Sequence, residues 1–419
     1  MAGGGLRKSL LLVAFHFPPE NASGATRPGH FAKYLPYFGY APRVVSRSIE
    51  PSVLEGTESV RRVPDELTAS EAVVRMSRAA EWVQRWFLPY NEQLPWAPFG
   101  ASAVTACLQS PGVRLVLSTS PPIVTHLAVL RAKLSDPTLR WVVDLQDPLW
   151  GNPFRTRRMA SYYDRTLERL IFHHADAVIA NTESVGELWR RRYPRWRGKI
   201  HVITNGFDPD DEIPSRPPIV RKRRIVAHVG AIYGGRRPTA FLAAALRLIE
   251  RGALAADEVG VRLVGPLDAQ CANTGVPPFS RLVEKGCLEY TGTMVPASEA
   301  REAMLDANYL LLLDVNERGD GLQVPAKLYE YMRTGRPILA LTPTNSPTQT
   351  ILENGGVWHR CVPADAPPEK IEACVEEFLS KAPLETAANS WFYETFSART
   401  KTMQLVGILQ DLERRPADS

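Results

Sequence analysis

The feature that most constrains this chain is an alternation of short apolar runs with longer amphipathic ones, written twice. Residues 9–15 form a continuous apolar run suited to a strand buried on both faces. The short pattern returns at 43–46, 114–117, 141–145, 177–180 and 199–203, with helical stretches at 31–38, 123–133, 160–172 and 185–193. A loop is expected over 16–29. Strands alternating with helices predict an α/β fold with a parallel, doubly wound sheet. Residues 208–224 are rich in Asp, Pro and Arg, lack periodicity and read as a linker. The alternation then restarts, with strands at 225–229, 261–264, 288–290, 309–313 and 337–341 and helices at 239–250, 297–305 and 326–333. Two Rossmann-like domains are expected, 1–207 and 208–390. Met403, Val406, Leu409 and Leu412 recur at helical spacing, so 391–419 is predicted to carry a helix that packs back on the first domain. Ligands of such sheets bind outside the strand carboxyl ends, which places the expected site in a cleft between the domains.

A length of 419 residues suits two domains of ordinary size. A 44% hydrophobic content excludes wholesale disorder. The apolar stretch 10–15 is too short to span a bilayer and no cleavage site follows it, so a cytoplasmic protein is expected. Cys107, Cys271, Cys287, Cys361 and Cys374 are scattered without CxxC spacing and indicate neither zinc nor a disulfide framework. The formal charge of +5 tolerates an anionic partner. Nothing in the pattern signals nucleic-acid binding, and none is expected.

The most specific stretch is VPAKLYEYMRTG, residues 324–335. Pro325 suits the first helical position and Gly335 the residue past the end. Val324, Pro325, Ala326 and Lys327 then frame a first turn whose unpaired N–H groups suit phosphate. Glu330, one turn on, can accept two hydrogen bonds from a ribose diol. The plainer reading is an amphipathic helix with Glu330 solvated and Lys327 an idle surface charge. After the first strand of the second half comes GAIYGGRRP, residues 230–238. Gly235 lets backbone approach a ligand, and Arg236 and Arg237 offer forked donors for pyrophosphate. In the first half, the loop 18–28 lacks the GxGxxG fingerprint, which disfavours a dinucleotide dehydrogenase. The strand 141–145 ends with Asp144 and Asp147, acids that cost desolvation unless they have partners or work. Asp144 suits a structural role. Ser120 offers a hydroxyl in a proline-rich turn, and His126 reads as a packing histidine.

The phrase PAKLYEYMRTGRPILAL resembles the donor-site signature of glycosyltransferase family 4, the retaining GT-B enzymes built from two Rossmann-like domains facing a cleft. The resemblance implies that Glu330 holds the donor ribose and that the helix start faces the diphosphate. It places Thr293 and Met294 near the base, Gly24 against donor phosphate or acceptor, and Arg27 and Ser120 on the acceptor side. Asp147 matches the aspartate of a DLRDPW-like variant that faces the acceptor. Two departures stand out: Ala231 where the family commonly has arginine, and Leu322, beside Asp320, where it often has glutamate. Arg236 retains one cation and Arg237 stands in for the other. The implied activity is hexosyl transfer from a nucleotide-diphosphate sugar to a hydroxyl, with retention. Arg236, Arg237 and the helix start stabilise the leaving group without a metal or cofactor; the acidic triplet 208–210 lies in the linker. Residues 77–89 interleave Trp82, Trp86, Phe87 and Leu88 with Arg78 and Arg85. That suits either peripheral contact with anionic lipid at the inner membrane face, serving a lipid-linked acceptor, or an inward-packed helix and a soluble acceptor. The rival readings are a nucleotide-sugar 2-epimerase and a non-catalytic nucleotide-sugar-binding partner; Leu322 and Ala231 favour the latter.

Overall fold

The computed structural model describes residues 7–20, 22–47, 60–63, 93–94, 96–110, 112–152, 158–214, 216–217, 221–314, 321–382 and 386–415. The segment 77–89 and Asp320 lie outside them. The chain forms two compact units, Met1–Pro209 with Ser397–Ser419, and Asp210–Phe396.

The first unit runs β1 (Lys8–Ala14), α1 (Ser23–Tyr34), β2 (Tyr40–Arg47), β3 (Val60–Val63), α2 (Trp96–Leu108), β4 (Leu115–Thr119) and α3 (Val124–Ser135). It continues with β5 (Arg140–Gln146), α4 (Arg158–His174), β6 (Ala177–Ala180), α5 (Glu183–Arg192) and β7 (Ile200–Val202). The second runs β8 (Arg224–Val229), α6 (Thr239–Glu250), β9 (Val259–Pro266), α7 (Ala269–Ala272), α8 (Phe279–Glu284), β10 (Leu288–Gly292), α9 (Ala297–Asp306) and β11 (Tyr309–Leu313). Then come α10 (Lys327–Thr334), β12 (Ile338–Leu341), α11 (Pro347–Asn354), β13 (His359–Val362), α12 (Pro368–Ser380) and α13 (Ser390–Phe396); α14 (Ala398–Arg414) belongs again to the first unit.

Both sheets are parallel and share one logic. The first has seven strands in the order β3-β2-β1-β4-β5-β6-β7, the second six in the order β10-β9-β8-β11-β12-β13. Central strands are buried along their length, as Leu10–Val13 and Leu310–Leu313 are, because helices cover both faces. In each sheet the order reverses once, between β1 and β4 and between β8 and β11. Such a reversal leaves a crevice outside the strand carboxyl ends, the usual seat of a ligand.

Two expectations need correction. The helix placed at 31–38 begins eight residues earlier, at Ser23, and gives way to a 3₁₀ turn at Leu35–Phe38. Pro28 suggested a loop, but it lies inside the helix, past its first turn, where losing one backbone bond is offset by burial of Ala25, Arg27 and Phe31. In α14, Ser397 caps the N-terminus by accepting from Thr400 N, and Leu405, Val406, Ile408, Leu409 and Leu412 join the core formed with Leu10, Leu12 and Leu117. Met403 points away, 53% exposed, because the 3.6-residue period carries it off that face. Among the described residues, no helix is long and apolar enough to cross a membrane.

Candidate active site

In the second unit the crevice is built by the end of β8 and the start of α10. Tyr331 joins them: its hydroxyl accepts from Val229 N at 2.7 Å and donates to Val229 O at 3.3 Å. Gly230 follows with φ +125°, and a Cβ there would sit 1.7 Å from Lys327 Cε. The missing side chain is therefore the space through which Lys327 reaches back over the loop. Its ammonium donates to Ala231 O at 3.0 Å and lies 3.5 Å from His228 Nε2. Burial, helped by the Arg236 charge, pushes Lys327 down to about 7. Burial and Lys327 hold His228 well below its usual range, so its imidazole is neutral; Nδ1 lies 2.9 Å from Leu311 O. His228 was missed in the sequence. Its signal was a lone polar residue in the apolar strand RIVAHVG, directly before the glycine loop.

Arg236 reaches the same corner. Its Nη1 donates to Tyr233 Oη at 2.7 Å and its guanidinium covers the Tyr233 ring 5.2 Å from the centroid. Arg237 is exposed and Gly235 half-buried. At the start of α10 the positions shift by about one turn position from expectation. Pro325 precedes the cap, Ala326 is the N-cap, and no side chain caps the helix. Val324 and Pro325 are buried and Ala326 is exposed. Uncapped first-turn amides beside Lys327 and Arg236 make a strongly positive corner. Gly335 ends the helix with φ +67°, as its position suggested.

Glu330 is half-buried one turn beyond Lys327. Its Oε2 accepts from Arg333 Nη1 at 3.1 Å, while among the described residues Oε1 takes no hydrogen bond. Arg333 also donates to Asp211 O, and Asp211 pairs with Arg301 at 2.6 Å. Burial is the larger influence and leaves the Glu330 carboxyl above its ordinary value despite Arg333. Thr293 and Met294 lie exposed just past β10, with Met294 64% accessible.

In the first unit, the carboxyl ends of β1, β4 and β5 meet around a buried ion pair. Arg27 Nε and Nη2 each donate to Asp144 at 2.8 Å. The other three N–H groups go to Ile203 O, Thr204 O and Asn205 Oδ1, so all five donors are committed. This corrects the acceptor-side reading: Arg27 fastens α1 to β5 and to the segment after β7. Ser120 is likewise buried, its hydroxyl proton spent on Leu145 O at 2.8 Å. Gly24 sits in the first turn of α1 where a Cβ would lie 3.1 Å from Pro121 O and 3.2 Å from His16 Cδ2. His126 is buried, bonded to Ser118 Oγ at 2.7 Å and pushed down to about 3, a packing histidine as expected. Asp147 remains half-buried at the strand tip. It follows Gln146, whose φ of +61° is a strained value for a side chain of its size, held by hydrogen bonds to Ser120 O and Thr119 Oγ1.

Residues 27–211 match the family model described as Glycosyltransferase Family 4. The match covers most of the first unit. The chain as a whole shares the α/β fold of the solved structures it resembles. Among solved structures, Anabaena HepE in complex with UDP and glucose aligns with a TM-score of 0.65 at 15% identity, over 97% of this chain and 100% of that one. The N-terminal domain of Candida albicans trehalose-6-phosphate phosphatase aligns with a TM-score of 0.64 at 11% identity, over 98% of each chain. The apo form of the lipopolysaccharide outer core galactosyltransferase WaaB gives 0.61 at 12% identity, over 96% and 99%. Identities this low establish the fold. No curated protein matches the chain.

Proposed function

We propose that the chain transfers a sugar from a nucleotide-diphosphate donor, a UDP-sugar, to a hydroxyl acceptor with retention of configuration and without a metal. The observation that carries this reading is the corner at β8 and α10: Lys327, Arg236 and uncapped helix amides gather where a diphosphate would lie at the sheet's switch point. HepE, of the same fold, is known in complex with UDP-glucose. Lys327 supplies the cation that Ala231 cannot, entering from α10 instead of from the loop. Together with Arg236, and with Arg237 nearby, it stabilises the negative charge that develops on the departing nucleotide diphosphate. Glu330 Oε1 is the acceptor for a ribose hydroxyl, with Arg333 fixing the other oxygen. Asp147 orients the acceptor hydroxyl, and the strain at Gln146 is consistent with a working position. The site residues Gly235, Thr293 and Met294 would face the phosphates and the base. Neutral His228 backs Lys327 without adding charge.

A calorimetric panel of UDP-, GDP-, ADP- and dTDP-sugars tests the donor. Specific heat with UDP-sugars, lost in Glu330→Gln and Lys327→Met, is the expected result. Equal failure of all four donors would sink the donor reading. The anomeric proton coupling of the product made with an accepted donor decides retention, and turnover in the presence of EDTA decides the metal question.

A further inference from the structure

The first unit carries a second cationic site, apart from the residues discussed so far. A groove of about 580 Å³ opens between α4, the end of α5 and the 3₁₀ turn Pro194–Lys199. Arg165, Arg169, Arg192 and Arg195 line it around Trp150 and Trp196. Its volume falls in the range of small-molecule pockets, about 300–1,000 Å³. The acid beneath it, Glu168, is fully buried and already occupied: Arg192 Nη1 at 2.9 Å, Tyr193 Oη at 2.7 Å and Leu149 N at 2.8 Å. Arg192 and Arg165 lie over Trp150, 4.2 and 4.8 Å from its ring centroid, which fixes the planes of two forks. Among the described residues, no carboxylate pairs with Arg165, Arg169 or Arg195. All three guanidiniums stand at exposed positions along the groove. They also present planar forks that match the oxygens of a phosphate. Leu170, 40% exposed, and half-buried Trp196 give the groove an apolar side next to that charge.

We propose that this groove binds a phosphate ester, with Arg165, Arg169 and Arg195 gripping its oxygens and Leu170 and Trp196 covering the apolar or sugar face beside it. The phosphate comes either from a soluble phosphorylated molecule or from a lipid headgroup, and the two are separable. Inorganic pyrophosphate is titrated into the full chain, following tryptophan emission, with Lys327→Met in parallel so that uptake at the donor corner is told apart from uptake in the groove. Phosphatidylcholine vesicles with and without phosphatidic acid are sedimented in parallel. Arg165→Gln/Arg169→Gln/Arg195→Gln, all at exposed positions, should keep the melting temperature and weaken pyrophosphate on the order of tenfold per arginine. Arg169→Glu, a single exposed change, provides a second folded variant with a loss in the same direction. Binding of pyrophosphate without sedimentation identifies a soluble ligand. Sedimentation only with phosphatidic acid, lost in the triple variant and competed by pyrophosphate, identifies a headgroup. The proposal is overturned if the wild-type chain takes up neither probe, or if the triple variant binds both as the wild type does.

Discussion

Lys327, expected in the sequence at a phosphate-binding helix start or else as an idle surface charge, gains a titrating role from its surroundings. Its amine, pushed down to about 7, is only part-protonated at neutral pH, and an arriving diphosphate favours the charged form. Binding should therefore draw in a proton. Affinity for UDP is expected to fall as pH rises from 7 to about 9, where phosphate (second pKa near 6) has finished ionising. Lys327→Met should bind more weakly and lose this slope; an unchanged slope in calorimetry would refute the role. Gly230→Ala should act like it, because the added Cβ occupies the lysine's path and φ +125° strains any side chain. Arg27 teaches the opposite lesson. A loop at a strand's carboxyl end suggested ligand contact, yet its partner Asp144 lies 117 residues away, a pairing no single sequence displays. Removing either partner strands a buried charge. Arg27→Ala or Asp144→Ala should cost about 3–5 kcal/mol in urea denaturation. A loss below about 1 kcal/mol would return Arg27 to the acceptor-side role first given it.

At the scale of elements, the buried strands were legible because a parallel sheet covered on both faces demands unbroken apolar runs. Thr239–Glu250 and Tyr309–Leu313 have the bounds their pattern gave. The start of α1 was hidden by Pro28, and short elements such as β13 and α8 by their lack of a full period. α14 was legible from its stripe, but its buried lysine was not. Lys401 lies 5% exposed on that helix, near Arg27, and burial together with the Arg27 charge pushes it down to about 7. Between pH 7 and about 10 the folded chain holds this amine neutral while the unfolded chain protonates it. The unfolded state then binds more protons, so stability rises with pH by up to about 1.4 kcal/mol per unit from this group. Lys327 adds the same sign over the same window. Lys401→Met should flatten the rise by roughly one proton's worth and raise the melting temperature at pH 7. A steeper rise in that variant would contradict the buried-amine account.

On the scale of the whole molecule, two units repeat one strand order, but they are not closed in the same way. The second draws its core from one continuous stretch, Asp210–Phe396, whereas the first takes α14 from beyond it. That helix supplies Leu405, Ile408, Leu409 and Leu412 to the core around Leu10, Leu12, Phe31 and Leu117, and Lys8 pairs with Glu413 near its end. Burying such side chains stabilises a fold by about 1.5–3 kcal/mol each, an amount comparable in sum to the whole stability of a domain. The first unit should therefore not survive without the chain's last segment. The Lys327 corner, with β8 and α10, lies wholly within the second unit. A chain ending at residue 396 is thus expected to lose amide protection along β1, β4 and β5 in hydrogen exchange while β8, β11 and β12 stay protected. It should still bind UDP within about threefold of the full chain while losing transfer. Retained protection in β1 would mean that α14 is an accessory cover rather than part of the first unit's core. Loss of UDP binding with β8 still protected would move the donor corner off the second unit.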